Sequence, residues 1–556
     1  MIGVVDNNTA GSAIRRTVIV GGVAAGMSTA TRLRRNDENM EIVVLERGPY
    51  VSFANCGLPY HLGGTIAERD ELLLHTPESL AERFDIDVRA SHEVVSIDRG
   101  ARTITVVDRS ADTTGTLSYD ALVLATGASA VVPPIPGIER AHTLRDVPDL
   151  DSVMADLERD PRSAVVLGGG FVGLEAAENL AGRGLDVTIV EAADQILAPL
   201  DAEMAAVVAR HLEGNGVRVR TGLRAVAIDE DSVRLDDGSV VPAALVLAST
   251  GVRPESGLAR DAGLELGVGG GVLVDAQRRT GDPRIFAVGD VAVESSAVTG
   301  QDTLVPLANI ANRHGRMVAD VICGRTAGAL PSLGTAIVGL FGLAAAVVGA
   351  NERTLRQQGR AIHVIHTHPS DHAGYYPGAE MMKLKLVVDA ETGLILGAQG
   401  VGRSGVDKRI DVIATAMRAG LSAADLADLE LAYAPQFGSA KDPVNMLGMI
   451  ADNLAAGTVG TTQWHEVHAA VAAGATVLDV RTPEEVAAGT IAGAVNIPLD
   501  ELRKRLDEVP DGPVIATCRV GMRGYLATRI LTQEGRDATN LDGGMLTWED
   551  AGLPLA

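Results

Sequence analysis

Cysteine, aromatic residues and positive charge are all scarce in this chain. Three cysteines in 556 residues, Cys56, Cys323 and Cys518, are too few and too scattered for a disulfide scaffold or a structural zinc site. No metal is therefore expected, and any thiol chemistry falls to single cysteines. Aromatics make up 3%, and both tryptophans, Trp464 and Trp548, lie near the C-terminus, a first hint of a separate module there. Lys plus Arg number 48 against 72 Asp plus Glu. The formal charge of −24 repels phosphate backbones and anionic lipid, so neither nucleic acid nor a membrane is an expected partner. The uncharged stretch from Pro331 to Ala350 is long enough to span a bilayer, but with Gly334, Gly339, Gly342 and Gly349 it reads as two short buried segments around a turn. Arg15-Arg16 and the apolar run Thr17 to Ala30 imitate an export signal, yet the run is strand-like, Gly-rich and continues into an amphipathic helix. A cytoplasmic protein is the expectation.

What is present is apolar mass: 46% of residues are hydrophobic, which excludes disorder as the main state. At roughly 100–200 residues per domain, the length implies three to five packed units. After a polar N-terminal segment (1–14), expected to be disordered, the order strand, Gly-rich turn, helix, strand occurs twice. The first copy is TVIV (17–20), GGVAAG (21–26), a helix through Arg35 and EIVVLE (41–46). The second is AVVLGGGFVG (164–173), a helix through Arg183 and DVTIVE (186–191). Such alternation predicts parallel sheets built from βαβ units. From Leu333 to Met449 the strands lengthen and the Gly-rich turns stop, which predicts an α+β domain. Val444 to Ala456 is helical, GTVGTT (457–462) reads as a linker, and Gln463 to Ala556 is the size of a domain.

The second copy is a dinucleotide site. Gly168, Gly170 and Gly173 fit G-x-G-x-x-G, Phe171 and Val172 open the helix, and Glu191 ends the next strand 23 residues after Gly168. The glycines let backbone approach a pyrophosphate at a helix N-terminus, and the acid can bind a ribose 2′-hydroxyl. Ala192 and Ala193 follow Glu191, with no Arg for a 2′-phosphate, so NADH is favoured while NADPH stays open. In the first copy Gly21, Gly22 and Gly26 are in place and Glu46-Arg47 closes the second strand, but Val23 holds the middle glycine position, before Ala24. Gly289-Asp290 follows a strand, where the carboxylate could bind the ribityl or ribose part of a second dinucleotide. Ala125-Thr126-Gly127 and a turn ending at Gly251 finish apolar strands as crossovers between nested domains would. Two dinucleotide sites suggest a nicotinamide donor and a flavin acceptor, FAD.

SFANCGLPY (52–60) resembles the active-site stretch of the single-cysteine pyridine nucleotide-disulfide oxidoreductases, the CoA-disulfide reductases and their persulfide-reductase relatives. GGVAAG, Val23 included, is similar to that branch. The likeness runs from about Arg16 to Met449 and includes a dimerisation domain with HAGYYPGA (372–379) and AYAPQFGSAKDPVN (432–445). Cys56 has no second cysteine four or five residues away, so its oxidised state is a mixed disulfide, a persulfide or a sulfenic acid. The Gly-Leu-Pro after it reads as a helix start, which favours the thiolate. The resemblance implies Asn55 and Ser52 as neighbours of Cys56, and Ser28, Arg32 and Arg35 as substrate contacts. It also implies Tyr375 or Tyr376, Tyr433 and Lys441 at a homodimer's active sites, where a protonated phenol can donate to a leaving thiolate. Related peroxidases carry a His where Ala24 and Ala25 stand, which argues against peroxide as the main substrate. Phe84 replaces a Lys that can assist with CoA phosphates, so obligatory recognition of CoA as substrate or bound ligand is not implied.

VLDVRTPEEVAAGTIAGAVNIP (477–498), CRVGMR (518–523) and LDGGMLTWEDAGLP (541–554) resemble a rhodanese domain along nearly its whole length. A strand ending at Cys518, a short loop and a helix point backbone N–H groups at the sulfur, and Arg519 and Arg523 add positive charge for anionic sulfur donors.

The expected fold class is α/β, with two nested Rossmann-like domains, an α+β dimerisation domain and an α/β rhodanese domain. The FAD-binding domain is expected over 15–160 and 252–330, the NAD(P)H-binding domain over 161–251, the dimerisation domain over 331–456 and the rhodanese domain over 463–556. The expected activity is NAD(P)H-driven reduction of CoA disulfide, persulfide or polysulfide at Cys56, with Cys518 carrying sulfane sulfur. An NADH oxidase reducing oxygen, and a redox or sulfide sensor with vestigial activity, are the alternatives.

Overall fold

A computed structural model describes residues 14–556, so the expected N-terminal tail lies outside the described residues except for Ile14. The chain forms two compact units, one running to Pro161 and resuming over Leu247–Ser332, the other made of Arg162–Val246 and Leu333–Ala556.

The first unit holds a parallel sheet in the order Ile285–Ala287, Ala121–Leu124, Arg16–Val20, Glu41–Leu45, Asp87–Arg89. Its central strands are buried runs of Val, Ile and Leu, as a parallel sheet covered on both faces requires. Arg16–Val20 passes through Gly21 into the helix Ala24–Asn36. Gly21 adopts φ +110°, and a Cβ there would stand 2.2 Å from the Ala125 carbonyl oxygen. The helix packs on Ala308–Ile322 so closely that a Cβ on Gly315 would stand 2.3 Å from the Ala25 oxygen. An antiparallel sheet of His92–Asp98, Thr103–Asp108 and Thr113–Ser118 completes this unit.

The second unit repeats the parallel arrangement with Arg218–Arg220, Asp186–Val190 and Ser163–Leu167. It continues with an antiparallel sheet in the order Ala336–Leu340, Leu343–Gly349, Ile395–Gly402, Lys383–Asp389, Ile362–Thr367. The helices Val406–Ala419 and Pro443–Ala455 share its core. The uncharged stretch 331–350 is the first hairpin, turned by Phe341 and Gly342 at φ +48° and +75°, the two positive angles of a two-residue hairpin turn. Among the described residues no helix is long and apolar enough to cross a membrane.

The C-terminal module has a parallel sheet in the order Gly460–Thr462, Ala538–Leu541, Val514–Thr517, Thr476–Asp479, Val495–Asn496. Trp548, 1% exposed, packs with Val467, Val477, Ile491 and Met545, and Trp464 lies against that cluster. The linker expected over 457–462 is corrected here, because Gly460–Thr462 is the edge strand of this sheet. A three-residue Gly-Thr-Thr strand has no periodicity of its own and is defined only by its pairing with Ala538–Leu541. Nor does the module hang on a free tether: Gln463 donates to the Val364 oxygen at 3.1 Å, and His368 Nε2 lies 2.9 Å from the Thr547 hydroxyl.

Candidate active site

In the first unit the residues that immediately follow three parallel strands, Gly21, Glu46 and Ala125, meet along one cleft. Its walls include Val23, Arg47, Asn55, Thr126 and Gly127. An adjoining cleft shares Gly21, Glu46, Arg47 and Thr126 and adds Glu255. Open α/β sheets bind ligands at this carboxyl edge. The Glu46 carboxylate accepts from Gly22 N and Gly48 N, both at 2.8 Å, which fixes its direction at the cleft. Gly26 is demanded by the backbone, since a Cβ there would stand 1.9 Å from the Gly21 oxygen. Val23 needs no such freedom at φ −111°, ψ −140°, so the fold tolerates it in the glycine position. These features fit a dinucleotide cradle.

Sequence reasoning missed Arg145, which lines the cleft, donates to the Ala128 oxygen at 3.0 Å and pairs with Asp290 at 2.6 Å. Asp290 thus reaches this wall through an arginine 145 positions away, and no local pattern signals it. Gly289, at φ +74°, would bring a Cβ to 3.1 Å from that of Ala25. Thr126 donates to the Glu255 oxygen at 2.7 Å, and Arg47 pairs with Glu255 at 3.5 Å. Gly251, at φ +111°, accepts from Val131 N beside the antiparallel pair of Val252–Pro254 with Ala128–Ala130.

Cys56 is exposed in a one-turn 3-10 segment, Asn55–Gly57, that leads into the short helix Leu58–Leu62. Asn55 Oδ1 accepts from Cys56 N at 3.1 Å and lies 3.7 Å from Sγ, and Asn55 also lines the cleft. Ser52, strained at φ +47°, donates its N–H to the Gly22 oxygen at 2.8 Å, tying the cysteine loop to the Gly-rich turn. Ser28, Arg32 and Arg35 lie on the helix after that turn. Ser28 bonds Asn312, and Arg32 donates from Nε and Nη2 to Asp320 at 2.8 and 3.2 Å. An anionic substrate at Arg32 has to compete with that carboxylate, whereas Arg35 is exposed. Cys323 caps Ala308–Ile322, and burial pushes its thiol up, which suits a structural thiol.

The second unit repeats the first turn almost atom for atom. Gly168 has φ +107°, and Glu191 accepts from Gly169 N and Ala193 N, both at 2.7 Å. Phe171 begins the helix Phe171–Gly182, Gly173 is buried within it and Val172 is exposed. A Cβ on Gly170 would meet nothing within 4 Å. Folding does not demand a glycine there; the open space is what a close pyrophosphate requires.

In the antiparallel domain the hydroxyls of Tyr375 and Tyr433 lie 3.1 Å apart, both exposed, and their hydrogen bond holds the Tyr433 phenol above its usual range. Tyr376 packs edge-on to His372. Lys441 is exposed and precedes Asp442, the cap of Pro443–Ala455.

Cys518 follows the strand Val514–Thr517 and is 0% exposed. Gly521, at φ +92°, ends the loop, and the helix Met522–Gln533 begins. Arg523 donates to Glu485 twice at 2.7 Å and lies close enough to Cys518 for the thiol to act on it. Glu485 first, burial against it, and then Cys518 set its raised pKa. Glu485 is correspondingly lowered to about 2 by Arg523 first. Arg519 pairs with Glu549. Glu485 and Glu549 were not anticipated; Thr482 and Glu485 form a capping box whose spacing is visible in the sequence, but its partner Arg523 is not.

Residues 15–315 match the family described as pyridine nucleotide-disulphide oxidoreductase, 335–443 its dimerisation domain and 463–551 the rhodanese-like domain. The coenzyme A disulfide reductase of Staphylococcus haemolyticus is 33% identical over 443 residues, 79% of this chain and all of that one. The crystal structure of reduced Bacillus anthracis CoADR-RHD is 47% identical with a TM-score of 0.96, covering 97% of this chain and 98% of that one. A NAD-dependent persulfide reductase from A. fulgidus is 36% identical with a TM-score of 0.90, covering 96% of this chain and all of that one. The chain therefore belongs to the pyridine nucleotide-disulphide oxidoreductases, among the homologues of coenzyme A disulfide reductase, and carries a C-terminal rhodanese-like domain.

Proposed function

We propose that this protein is a flavin-dependent reductase of sulfur–sulfur bonds, driven by NADH and acting on CoA disulfide, CoA persulfide and related polysulfides. The observation that carries the reading is the pair of lone thiols: Cys56 in a loop that shares Asn55 with the dinucleotide cleft, and Cys518 in a buried loop with a basic neighbour. FAD, when bound, supplies a two-electron relay between nicotinamide and sulfur. Gly21, Gly22, Glu46 and Thr126 would hold it, with Asp290 acting through Arg145. Gly168, Gly170 and Glu191 would hold the nicotinamide dinucleotide. Glu191 facing the turn, with alanines after it, favours a free ribose 2′-hydroxyl over a 2′-phosphate.

Cys56 Sγ, as thiolate, attacks one sulfur of R–S–S–R′, forms Cys56–S–S–R′ and expels RS⁻, which takes a proton. Two electrons and a second proton then free Cys56 and release R′SH. The balance is NADH + H⁺ + RSSR′ giving NAD⁺ + RSH + R′SH, with hydrogen sulfide as one product when R′ is hydrogen. Asn55 orients the thiol. In a homodimer formed through the dimerisation domain, Tyr375, Tyr376 and Tyr433 are the proposed proton donors, and Arg35, Ser28, Ser52 and Lys441 the contacts for an anionic substrate. Cys518 carries sulfane sulfur as a persulfide, with Arg519 and Arg523 attracting the donor.

Anaerobic steady-state NADH oxidation with each acceptor in turn tests this. Acceptor-dependent turnover that vanishes in Cys56→Ser is expected; oxygen uptake matching NADH loss in air, with no thiol released, would establish the oxidase instead.

A further inference from the structure

Behind the Cys518 loop stands a histidine from another domain of the same unit. His366, in Ile362–Thr367, is 4% exposed. Its backbone N donates to Asp542 Oδ2 at 2.9 Å, its Nδ1 lies 2.7 Å from the same oxygen, and its Nε2 lies 3.1 Å from Glu203 Oε1. With an acceptor at each ring nitrogen, the imidazolium satisfies both. Burial pulls its pKa down, but the hydrogen bonds to Asp542 and Glu203 outweigh this and raise it to about 9. Beyond Glu203, Lys385 Nζ gathers Glu203, Glu352 and Asp201 at 2.5, 2.7 and 3.0 Å, so the other carboxylates have their own cation.

Asp542 opens a turn in which Gly543 and Gly544 both have positive φ, +67° and +64°. A Cβ on Gly543 would stand 2.8 Å from His366 Cβ, and one on Gly544 would stand 2.4 Å from the Cys518 oxygen and 2.8 Å from Gly521 N. Met545 N and Leu546 N then donate to the carbonyls of Cys518 and Arg519 at 2.8 and 3.0 Å. One tight turn thus joins the imidazole to the floor of the thiol loop.

We propose that His366 is a positioning residue for Cys518: by clamping Asp542 it holds the Gly543–Gly544 turn, and through it the loop, in the shape that accepts a sulfur anion. The proposal rests on the reading of Cys518 as a sulfane carrier. It makes the rhodanese module dependent on a residue outside its own domain.

The test uses full-length His366→Gln and His366→Asn. Asn can place an amide N–H near the position of Nδ1 and keep the side-chain contact to Asp542; Gln reaches toward Glu203 and loses that contact, leaving Asp542 only the backbone N–H of residue 366. Three readouts are compared: thiosulfate-to-cyanide sulfur transfer, the pH profile of Cys518 alkylation followed on its peptide, and NADH-driven reduction of CoA disulfide. His366→Gln is expected to lose about tenfold in sulfur-transfer kcat/KM and to shift the alkylation profile, with CoA disulfide reduction unchanged and His366→Asn close to wild type. Equal losses in both variants accompanied by loss of reductase activity would overturn the proposal, as would a wild-type profile in His366→Gln. Should that variant fail to fold, Asp542→Asn, which keeps an oxygen for His366 but removes the charge, is expected to shift the same profile. A wild-type enzyme that transfers no sulfur at all would remove the carrier reading, while the alkylation profile still reports on the clamp.

Discussion

Cys56 lies exposed in a single 3-10 turn beside a neutral amide, whereas Cys518 is fully buried at the end of a sheet strand with Arg523 next to it. An exposed thiol on a short turn can meet a bulky disulfide and exchange sulfur with it. A buried thiol with an arginine close by can take little more than one additional sulfur. Under the proposed function the two sites divide the chemistry by size: the first breaks bonds between large groups, the second holds a small anion.

The largest effect that could break this division is at Cys56. Cys56→Ser is expected to lower NADH-driven disulfide reduction by at least ~10³-fold while sulfur transfer from thiosulfate stays intact; steady-state rates for both reactions on one preparation check this. Cys518→Ser is expected to do the converse, abolishing sulfur transfer and leaving CoA disulfide reduction within about twofold. If polysulfide turnover also survives in that variant, the two thiols do not exchange sulfur. A smaller effect is expected from Arg523→Ala. Loss of its charge beside Cys518, with Glu485 left unpaired, should cost roughly 10- to 100-fold in sulfur transfer, and Arg523→Lys, charged but unforked, should fall between.

The arrangement was legible in the sequence where a local pattern dictates it. Gly21, Gly26 and Gly168 announce their turns because backbone geometry forbids a side chain there, and the glycines of 331–350 announce a turn between two short segments, though not which residues make it. The ion pairs that finish each site were not legible. Arg145 with Asp290, Arg523 with Glu485 and His366 with Asp542 are joined only by the folded chain, and an ordinary Arg or His gives no sign of its partner. Gly460–Thr462 was misread for the same reason.

The smallest expected effect separates the two units by pH. His314, in the helix packed against the first Gly-rich turn, is lowered to about 3 by burial first, then by Arg278 and Arg313. The unfolded chain protonates it near 6.5, so the first unit loses stability as pH falls from about 6.5 toward 3. His366 has the opposite sign. Raised to about 9, it stabilises the second unit fully below about 6.5, and that contribution is lost as pH rises through 9. Thermal unfolding against pH should therefore show an alkaline decline that His366→Asn flattens and an acid decline that it leaves alone.

The division of labour is tested most directly by intact-protein and peptide mass spectrometry after separate anaerobic exposure to CoA disulfide and to thiosulfate, without NADH. A CoA adduct confined to Cys56 and a single added sulfur confined to Cys518 are the predicted result. CoA on Cys518, or sulfur from thiosulfate on Cys56 in a Cys518→Ser protein, would contradict it.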